Sequence, residues 1–353
     1  MKIRAKIVGA GGYGGVGIAE LLCRHPEAEI AALVDVENAG QPLGALYPHL
    51  AGTVDMPVVA PDDPTAQAPA DVVFMATPDG VGMNLAPAEL AKNAKVIDYS
   101  GDFRFNTAES YADYARRIGR EPAHAAPDLL PKAVYGLPEL HRAELAADTA
   151  VVGNPGCFAV SCILGLAPLA KSRAVRLDSL ICDCKTGVSG AGKKPNASFH
   201  YPARYDNMNA YKLAGHQHVC EIERELSLLA GAQVMVTFTG QVVPVCRGIM
   251  SCLYADLVEA KTEADLLALY REFYAPSPFV RVWESAAPVG SMHVRGTNAC
   301  NLVVSVDARA RRARIVSYID NLVKGQAGSA LQNMNLLFGL PETAGLDRPG
   351  MYP

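Results

Sequence analysis

No basic block dominates this chain, and that absence removes a first class of function. Lys and Arg number 32 against 36 Asp and Glu, for a net charge of −4. A dedicated nucleic-acid binder carries a basic stripe, so no nucleic-acid partner is expected. Long hydrophobic runs are missing as well. The longest uncharged apolar stretch, 157–170, falls short of the roughly 18 to 20 residues of a membrane span, so no membrane partner is expected. The opening stretch MKIRAKIVGAGGYGG has neither an apolar h-region nor a cleavage site. C-x-x-C is absent, and the nine cysteines are odd in number and mostly set in apolar segments, which excludes a disulfide framework. Thiols of that kind fit a reducing cytoplasm, the expected location. There is no internal repeat and no low-complexity segment.

What is present is enough apolar material for large cores. Half of the 353 residues are hydrophobic, and this length suggests two domains. In the first part, strand-like runs (AKIV, EIAALVDV, ADVVFMATP, AKVIDYSG) alternate with helical stretches such as MNLAPAELAKN. That order predicts β-α-β units in a doubly wound parallel sheet. After Cys157 the strands lengthen and become β-branched, with fewer helices between them, which predicts a mixed or antiparallel sheet. The fold class expected is α/β: a Rossmann-type dinucleotide-binding domain and an α+β catalytic domain. The first is expected to span 1–153, completed by a C-terminal helix at about 320–340 that Gly339 and Pro341 stop. The second is expected over 154–319, and 341–353 as a surface tail.

Gly9, Gly12 and Gly15 stand at G-x-x-G-x-x-G spacing, directly after a strand and opening a helix near Tyr13. Glycines there let the backbone approach a pyrophosphate, and the helix N-terminus favours its charge. Asp35 follows at the end of the next strand, where an acid reads a ribose hydroxyl. The plain alternative is a glycine turn serving only helix packing.

Cys157 sits between the turn Gly153-Asn154-Pro155-Gly156 and an apolar run. A helix N-terminus stabilises a thiolate and lowers its pKa below about 8.5, although free cysteines are commonly small core residues. In GHQHVCEIERELS, His218 and Glu221 fall one helical turn apart, so the carboxylate can orient an imidazole for base catalysis. Two other readings stand beside this: His216, His218 and Cys220 as zinc ligands without an evident fourth, or histidines that merely cap or line a polar surface. Ser189, Gly190 and Gly192, followed by Lys193 and Lys194, can line a phosphate or nicotinamide, or form a flexible hairpin. Arg104, after a strand end, suits a bidentate oxyanion as well as a surface ion pair. A nucleotide fold, a helix-capping cysteine and a histidine together suggest thiolate attack on an activated acyl group, followed by hydride reduction of the thioester.

These blocks resemble the N-acetyl-γ-glutamyl-phosphate reductases of arginine biosynthesis, within the aspartate-semialdehyde dehydrogenase-like group. The matching stretches include VGAGGYGGVGIAELL, VIDYSGDFRF, NPGCFAVSCILGLAPL, KTGVSGAGKK, AGHQHVCEIERELS and IDNLVKGQAGSALQNMNLLFGLPETAGL, and they run over nearly the whole chain. The resemblance implies a small-molecule acyl phosphate as substrate, Cys157 as nucleophile, His218 as acid/base and Glu221 as its orienter. It puts His216 near the reacting carbonyl, Arg104 on the acyl phosphate, and Asn335 among the cofactor contacts. It implies a homo-oligomer, dimer or tetramer, and NADP(H) as cofactor, with no metal.

Two departures from the family pattern stand out. Tyr-Pro-Thr after the cysteine is replaced by Phe158-Ala159-Val160, and the missing proline is expected to loosen the first helical turn. Ser-Arg after the second strand is replaced by Asp35-Val36, which suggests use of NAD(H). Two alternatives remain: a sister reductase for another N-acyl-glutamyl or aminoadipyl phosphate, and a catalytically silent nucleotide-binding regulator.

Overall fold

A computed structural model describes residues 2–352. The chain divides into two compact units, Met1–Pro155 with Gln326–Arg348, and Gly156–Gly325 with Pro349–Pro353.

The first unit holds strands β1 (Ile3–Val8), β2 (Ala28–Val34), β3 (Val58–Val59), β4 (Val72–Met75), β5 (Lys95–Asp98), β6 (Ala133–Tyr135) and β7 (Val151–Gly153). They form one sheet in the order β3-β2-β1-β4-β5-β7-β6, and every pairing is parallel. All four residues of β4 are buried, as strands covered on both faces require. The order reverses between β1 and β4, and the crevice beyond their carboxyl ends is where such sheets take ligands.

The second unit holds β8 (Leu180–Thr186), β9 (Asn209–Tyr211), β10 (Val236–Val242), β11 (Ile249–Asp256), β12 (Val280–Trp283), β13 (Cys300–Asp307) and β14 (Arg312–Ile319). Their order is β12-β13-β14-β11-β8-β10-β9. The sheet is mixed: β8 with β10 and β12 with β13 run parallel, and the other pairs antiparallel. The helix Cys157–Ser172 lies on it, against β11 and β14, and the helix His218–Ala230 covers that helix in turn. Residues 158–170 are therefore all buried, which explains a helix apolar all round. Among the described residues no helix packs on the other face of this sheet. Along β11 buried and half-buried residues alternate strictly, and Met250, Cys252 and Tyr254 point to the uncovered side beside Tyr318, Val316 and Ile181.

The C-terminal segment differs from its expected boundaries. The helix spans Gly328–Leu337, preceded by a π-helical turn at Val323–Ala327. Asp320 causes the delay, because its carboxylate takes the Leu322 and Val323 N–H groups at 2.8 and 3.1 Å and holds the chain in a turn. Nor is the stretch from 341 a loose tail. Glu342 pairs with Arg142 at 3.0 Å, and residues through Arg348 belong to the first unit. No helix among the described residues is long and apolar enough to cross a membrane.

Candidate active site

In the first unit, the glycine turn leaves β1 at Gly9, whose φ of +83° favours glycine. A side chain there would meet the Ala76 carbonyl oxygen at 2.4 Å, and one on Gly15 would meet the Gly9 oxygen at 2.2 Å. Gly12 caps the helix Tyr13–Leu22, which opens at Tyr13 toward the sheet's carboxyl edge. Asp35 follows β2 directly. Its carboxylate accepts the Gly11 N–H and the Glu37 N–H, both at 2.8 Å, while the Tyr47 hydroxyl donates to the Gly11 oxygen at 2.9 Å. The acid is thus bound into the glycine loop itself. Beside it Val36 is 78% exposed.

Two expected contacts in this unit turn out otherwise. Asn335 is fully buried. Its oxygen pairs with His25 Nε2 at 3.0 Å, and its amide donates to the Glu342 and Ala344 oxygens. It ties the C-terminal helix to the segment that follows, and burial removes it from any cofactor surface. Arg104 is 7% exposed; its Nε donates to the Asn154 oxygen at 2.8 Å and a terminal nitrogen to the Tyr99 oxygen at 2.5 Å. The sequence suggested an oxyanion grip, but much of this guanidinium is spent on main-chain carbonyls.

In the second unit, Gly156 caps the helix that Cys157 opens. The first turn is closed by Val160 N–H to the Gly156 oxygen at 2.9 Å, so the loss of proline has not loosened it. Phe158 is buried in that first turn, directly after Cys157. Its buried ring meets His216, His218 and Phe238 edge-on at centroid distances of 5.6, 6.2 and 5.5 Å.

His218 opens the helix His218–Ala230. A Cβ on Gly156 would stand 2.3 Å from its Nε2, so only glycine lets the imidazole edge reach the backbone beside the thiol. Glu221 is fully buried. One oxygen faces His218 Nε2 at 4.0 Å, and the other accepts the Gly156 N–H at 3.0 Å. His216 is also buried; its Nδ1 accepts the His218 N–H at 3.2 Å, and its Nε2 lies 3.4 Å from the Tyr211 hydroxyl. Burial, with the charge of His218 adding, pushes the His216 pKa down to about 2. No group of three His, Cys, Asp or Glu side chains has metal-holding geometry among the described residues, so His216, His218 and Cys220 do not converge as a zinc site.

Ser189 and Gly190 lie in a 3₁₀ turn, Val188–Ala191, that ends at Gly192 with φ +81°. Ser189 Oγ accepts from Asn321 Nδ2 at 3.0 Å, so this turn is anchored rather than flexible. Sequence reasoning passed over three residues of this unit. The Tyr211 hydroxyl, 3.4 Å from His216 Nε2, has its pKa raised by burial and next by the Cys157 thiolate. Gly325 approaches so closely that an added Cβ would be 2.7 Å from that of Cys157. Arg247 pairs with buried Asp320 at 2.8 Å. Tyr211 lies in a segment without a motif, Gly325 lies within the C-terminal block IDNLVKGQAG without being singled out there, and Arg247 stands only at the entry of a strand-like run.

Comparison with known proteins bears on both units. Residues 4–148 match the family described as semialdehyde dehydrogenase, NAD binding domain, and 157–321 match semialdehyde dehydrogenase, dimerisation domain. The N-acetyl-gamma-glutamyl-phosphate reductase of Symbiobacterium thermophilum is 46% identical, covering 100% of both chains. That of Desulforamulus reducens is 42% identical over 99% of this chain and 100% of its own. Among solved structures, aspartate semialdehyde dehydrogenase II from Vibrio cholerae shares the fold at TM-score 0.72 and 16% identity, covering 96% of this chain and 99% of that one. The Candida albicans aspartate semialdehyde dehydrogenase with NADP does so at TM-score 0.66 and 16% identity, over the same shares of the two chains.

Proposed function

The chain belongs to the N-acetyl-γ-glutamyl-phosphate reductases of the semialdehyde dehydrogenase family, and from that premise we propose how its residues divide the work. The reaction reduces N-acetyl-γ-glutamyl phosphate to the 5-semialdehyde and phosphate, a step of arginine biosynthesis. The observation that carries the assignment of roles is the imidazole of His218 set against Gly156, the residue before the thiol.

Cys157 is the nucleophile. Its sulfur bonds the acyl carbon, the carbon–oxygen bond to phosphate breaks, and phosphate departs with the bonding pair. His218 takes the thiol proton and later returns a proton to the oxygen of the reduced carbon, as a positioned imidazole does for a factor of about 10² to 10⁴. Glu221 fixes the imidazole and steadies the cation that forms. His216, kept neutral by burial, donates or accepts a hydrogen bond without adding charge. Amides at the start of the helix Cys157–Ser172 face the developing oxyanion, where a single such donor is worth roughly 3 kcal/mol. When the thiohemiacetal collapses, His218 takes the hydroxyl proton back, the carbon–oxygen double bond forms, the carbon–sulfur bond breaks and the thiolate is regenerated.

The glycine turn fits a nicotinamide dinucleotide: side chains are excluded at Gly9 and Gly15 by backbone a little over 2 Å away, and a helix N-terminus follows. Gly9, Gly12, Tyr13 and Gly15 would hold the pyrophosphate, Asp35 the adenosine ribose, and the Ser189–Gly192 turn the nicotinamide end. That cofactor supplies the hydride that reduces the thioester carbon. NADP(H) is the family habit, and Asp35 with Val36 favours NAD(H), because a 2′-phosphate there meets like charge and no guanidinium. The uncovered face of the second sheet, with Met250, Cys252, Tyr254 and Tyr318, supports a homodimer built on that face.

The test is oxidation of N-acetylglutamate semialdehyde, followed as phosphate-dependent reduction of NAD+ or NADP+. N-succinyl and aminoadipyl analogues run in parallel address the sister reductases. A silent regulator gives no signal with any of them.

A further inference from the structure

We infer that Arg247 grips an oxyanion of the substrate beside Cys157. The inference rests on the reductase reading above. Arg247 lies in the loop between β10 and β11, and its Nε donates to the Asp320 carboxylate, 3.0 Å from Oδ1 and 2.8 Å from Oδ2. Asp320 is fully buried and also takes the N–H groups of Gly296, Leu322 and Val323 at 2.6, 2.8 and 3.1 Å. The acid is thereby immobile, and it immobilises one edge of the guanidinium. The Arg247 side chain forms no other hydrogen bond or ion pair among the described residues, and it stays 27% exposed. A guanidinium has five N–H donors, of which Nε supplies one. The terminal donors are the fork that binds carboxylate or phosphate bidentately. An ion pair serving stability alone gains most by closing that fork on its acid; this one leaves it open.

The position matches the use. The Asp320 main-chain oxygen accepts the Gly325 N–H at 2.9 Å, and Gly325 is the residue pressed against Cys157, with an added Cβ 3.2 Å from the Cys157 Cα. On its other side, the Arg247 backbone crowds Gly187, where a Cβ would stand 2.7 Å from the Arg247 nitrogen. The next residue, Gly248, donates to Asn321 Oδ1 at 2.7 Å, and Asn321 holds Ser189. One turn, 320–325, therefore sets Arg247, Ser189 and the nucleophile in a common frame. Arg104, the arginine the sequence advertised, is committed to carbonyls; Arg247 keeps its fork. The substrate carries two oxyanions, the leaving phosphoryl group and the α-carboxylate, and both offer the paired oxygens that an arginine fork recognises.

The reverse reaction separates these two partners, because inorganic phosphate and N-acetylglutamate semialdehyde are varied independently. Arg247→Gln is expected to raise one of the two KM values about tenfold to a hundredfold, the loss of one charge-assisted pair. Arg247→Lys, which keeps charge but not the fork, is expected to fall between. A rise confined to phosphate assigns the phosphoryl group; a rise confined to the semialdehyde assigns the carboxylate. Added guanidinium should partly restore the Arg247→Ala enzyme. Cofactor affinity, circular dichroism and the alkylation rate of Cys157 should match the wild type. If both KM values of Arg247→Gln stay within about twofold of wild type, whether or not kcat falls, the inference is overturned, since a merely structural arginine gives that pattern. Wild-type enzyme inactive on every substrate would instead overturn the reductase reading.

Discussion

Glu221 and Gly156 are joined by a hydrogen bond of 3.0 Å from the glycine N–H to a carboxylate oxygen that is entirely buried. The bond links the helix that His218 opens to the residue that caps the helix Cys157 opens. Glu221→Gln keeps an acceptor for that amide and loses the charge that steadies His218, so kcat is expected to fall about tenfold with little change in Tm. Glu221→Ala also leaves a buried N–H unsatisfied, at a cost of about 1 to 3 kcal/mol, so it should lower Tm as well as kcat. His218→Asn should cost more activity than Glu221→Gln, by a further factor of about ten to a hundred. Stopped-flow turnover together with thermal melts separates the two effects. Equal kcat loss and unchanged Tm in Gln and Ala variants would show that the Gly156 bond is idle.

Reactivity should single out Cys157 among the thiols. Cys162 and Cys184 are buried, and burial pushes their pKa values well up. Cys246 is exposed, which makes it the proper competitor. Iodoacetamide near neutral pH should label Cys157 at least about tenfold faster than Cys246, given the helix N-terminus beneath the former. Peptide mapping over time checks this, and equal rates would contradict a depressed pKa at Cys157.

How much of this was legible beforehand depends on distance along the chain. Cys157 as the first residue of a helix, and His218 with Glu221 on one face, follow from local order, as do the glycine turn and the parallel sheet. The Glu221 bond to Gly156 spans 65 residues, and no periodicity reports it. The resemblance puts Asn335 among the cofactor contacts; its partner His25 lies 310 residues away, and Glu342 and Ala344 lie in the segment just after its helix, where no helical periodicity announces them. Arg104 and Arg247 were equal as letters, and only their acceptors separate them. The helix expected from about 320 begins at Gly328 because the Asp320 carboxylate captures amides that helical periodicity would have assigned to the helix.

Cofactor choice should turn on Asp35. Repulsion of a 2′-phosphate, roughly 1 to 3 kcal/mol, corresponds to about a tenfold to hundredfold preference in kcat/KM for NADH over NADPH. Asp35→Ser should erode that preference, and Asp35→Ser with Val36→Arg should reverse it. Since Asp35 also holds the Gly11 and Glu37 amides, both variants should bind either cofactor somewhat less tightly. A preference for NADPH that survives Asp35→Ser unchanged would show that Asp35 does not read the 2′ position.

Acid stability should carry the mark of His216. Its folded pKa of about 2 lies below the ordinary value of 6.5, so between those values the unfolded chain binds more protons than the folded one. That contribution to stability is complete above about pH 6.5 and is lost progressively as pH falls toward 2. His25 and His124 are shifted down by burial too and act in the same direction. Denaturant midpoints measured from pH 7 to 4 should therefore fall, and fall less steeply in His216→Asn. Identical slopes in both proteins would mean that His216 is protonated in the fold.

Association should depend on the uncovered sheet face. Met250→Asp places a charge on that face beside Lys185 and Tyr318 and should shift light-scattering mass toward the monomer, whereas an exposed change elsewhere, Val258→Asp, should not. A Met250→Asp protein of unchanged mass at micromolar concentration would place the interface elsewhere.

The central claim is that the acyl group rests on Cys157 before it is reduced. Mixing the enzyme with N-acetyl-γ-glutamyl phosphate in the absence of any nicotinamide, quenching in acid and measuring intact mass tests it most directly. The account predicts one N-acetylglutamyl group per chain, mapped to the peptide containing Cys157, released by hydroxylamine and absent from Cys157→Ser. Active enzyme that never acquires that mass, or acquires it equally in Cys157→Ser, would contradict the thioester route.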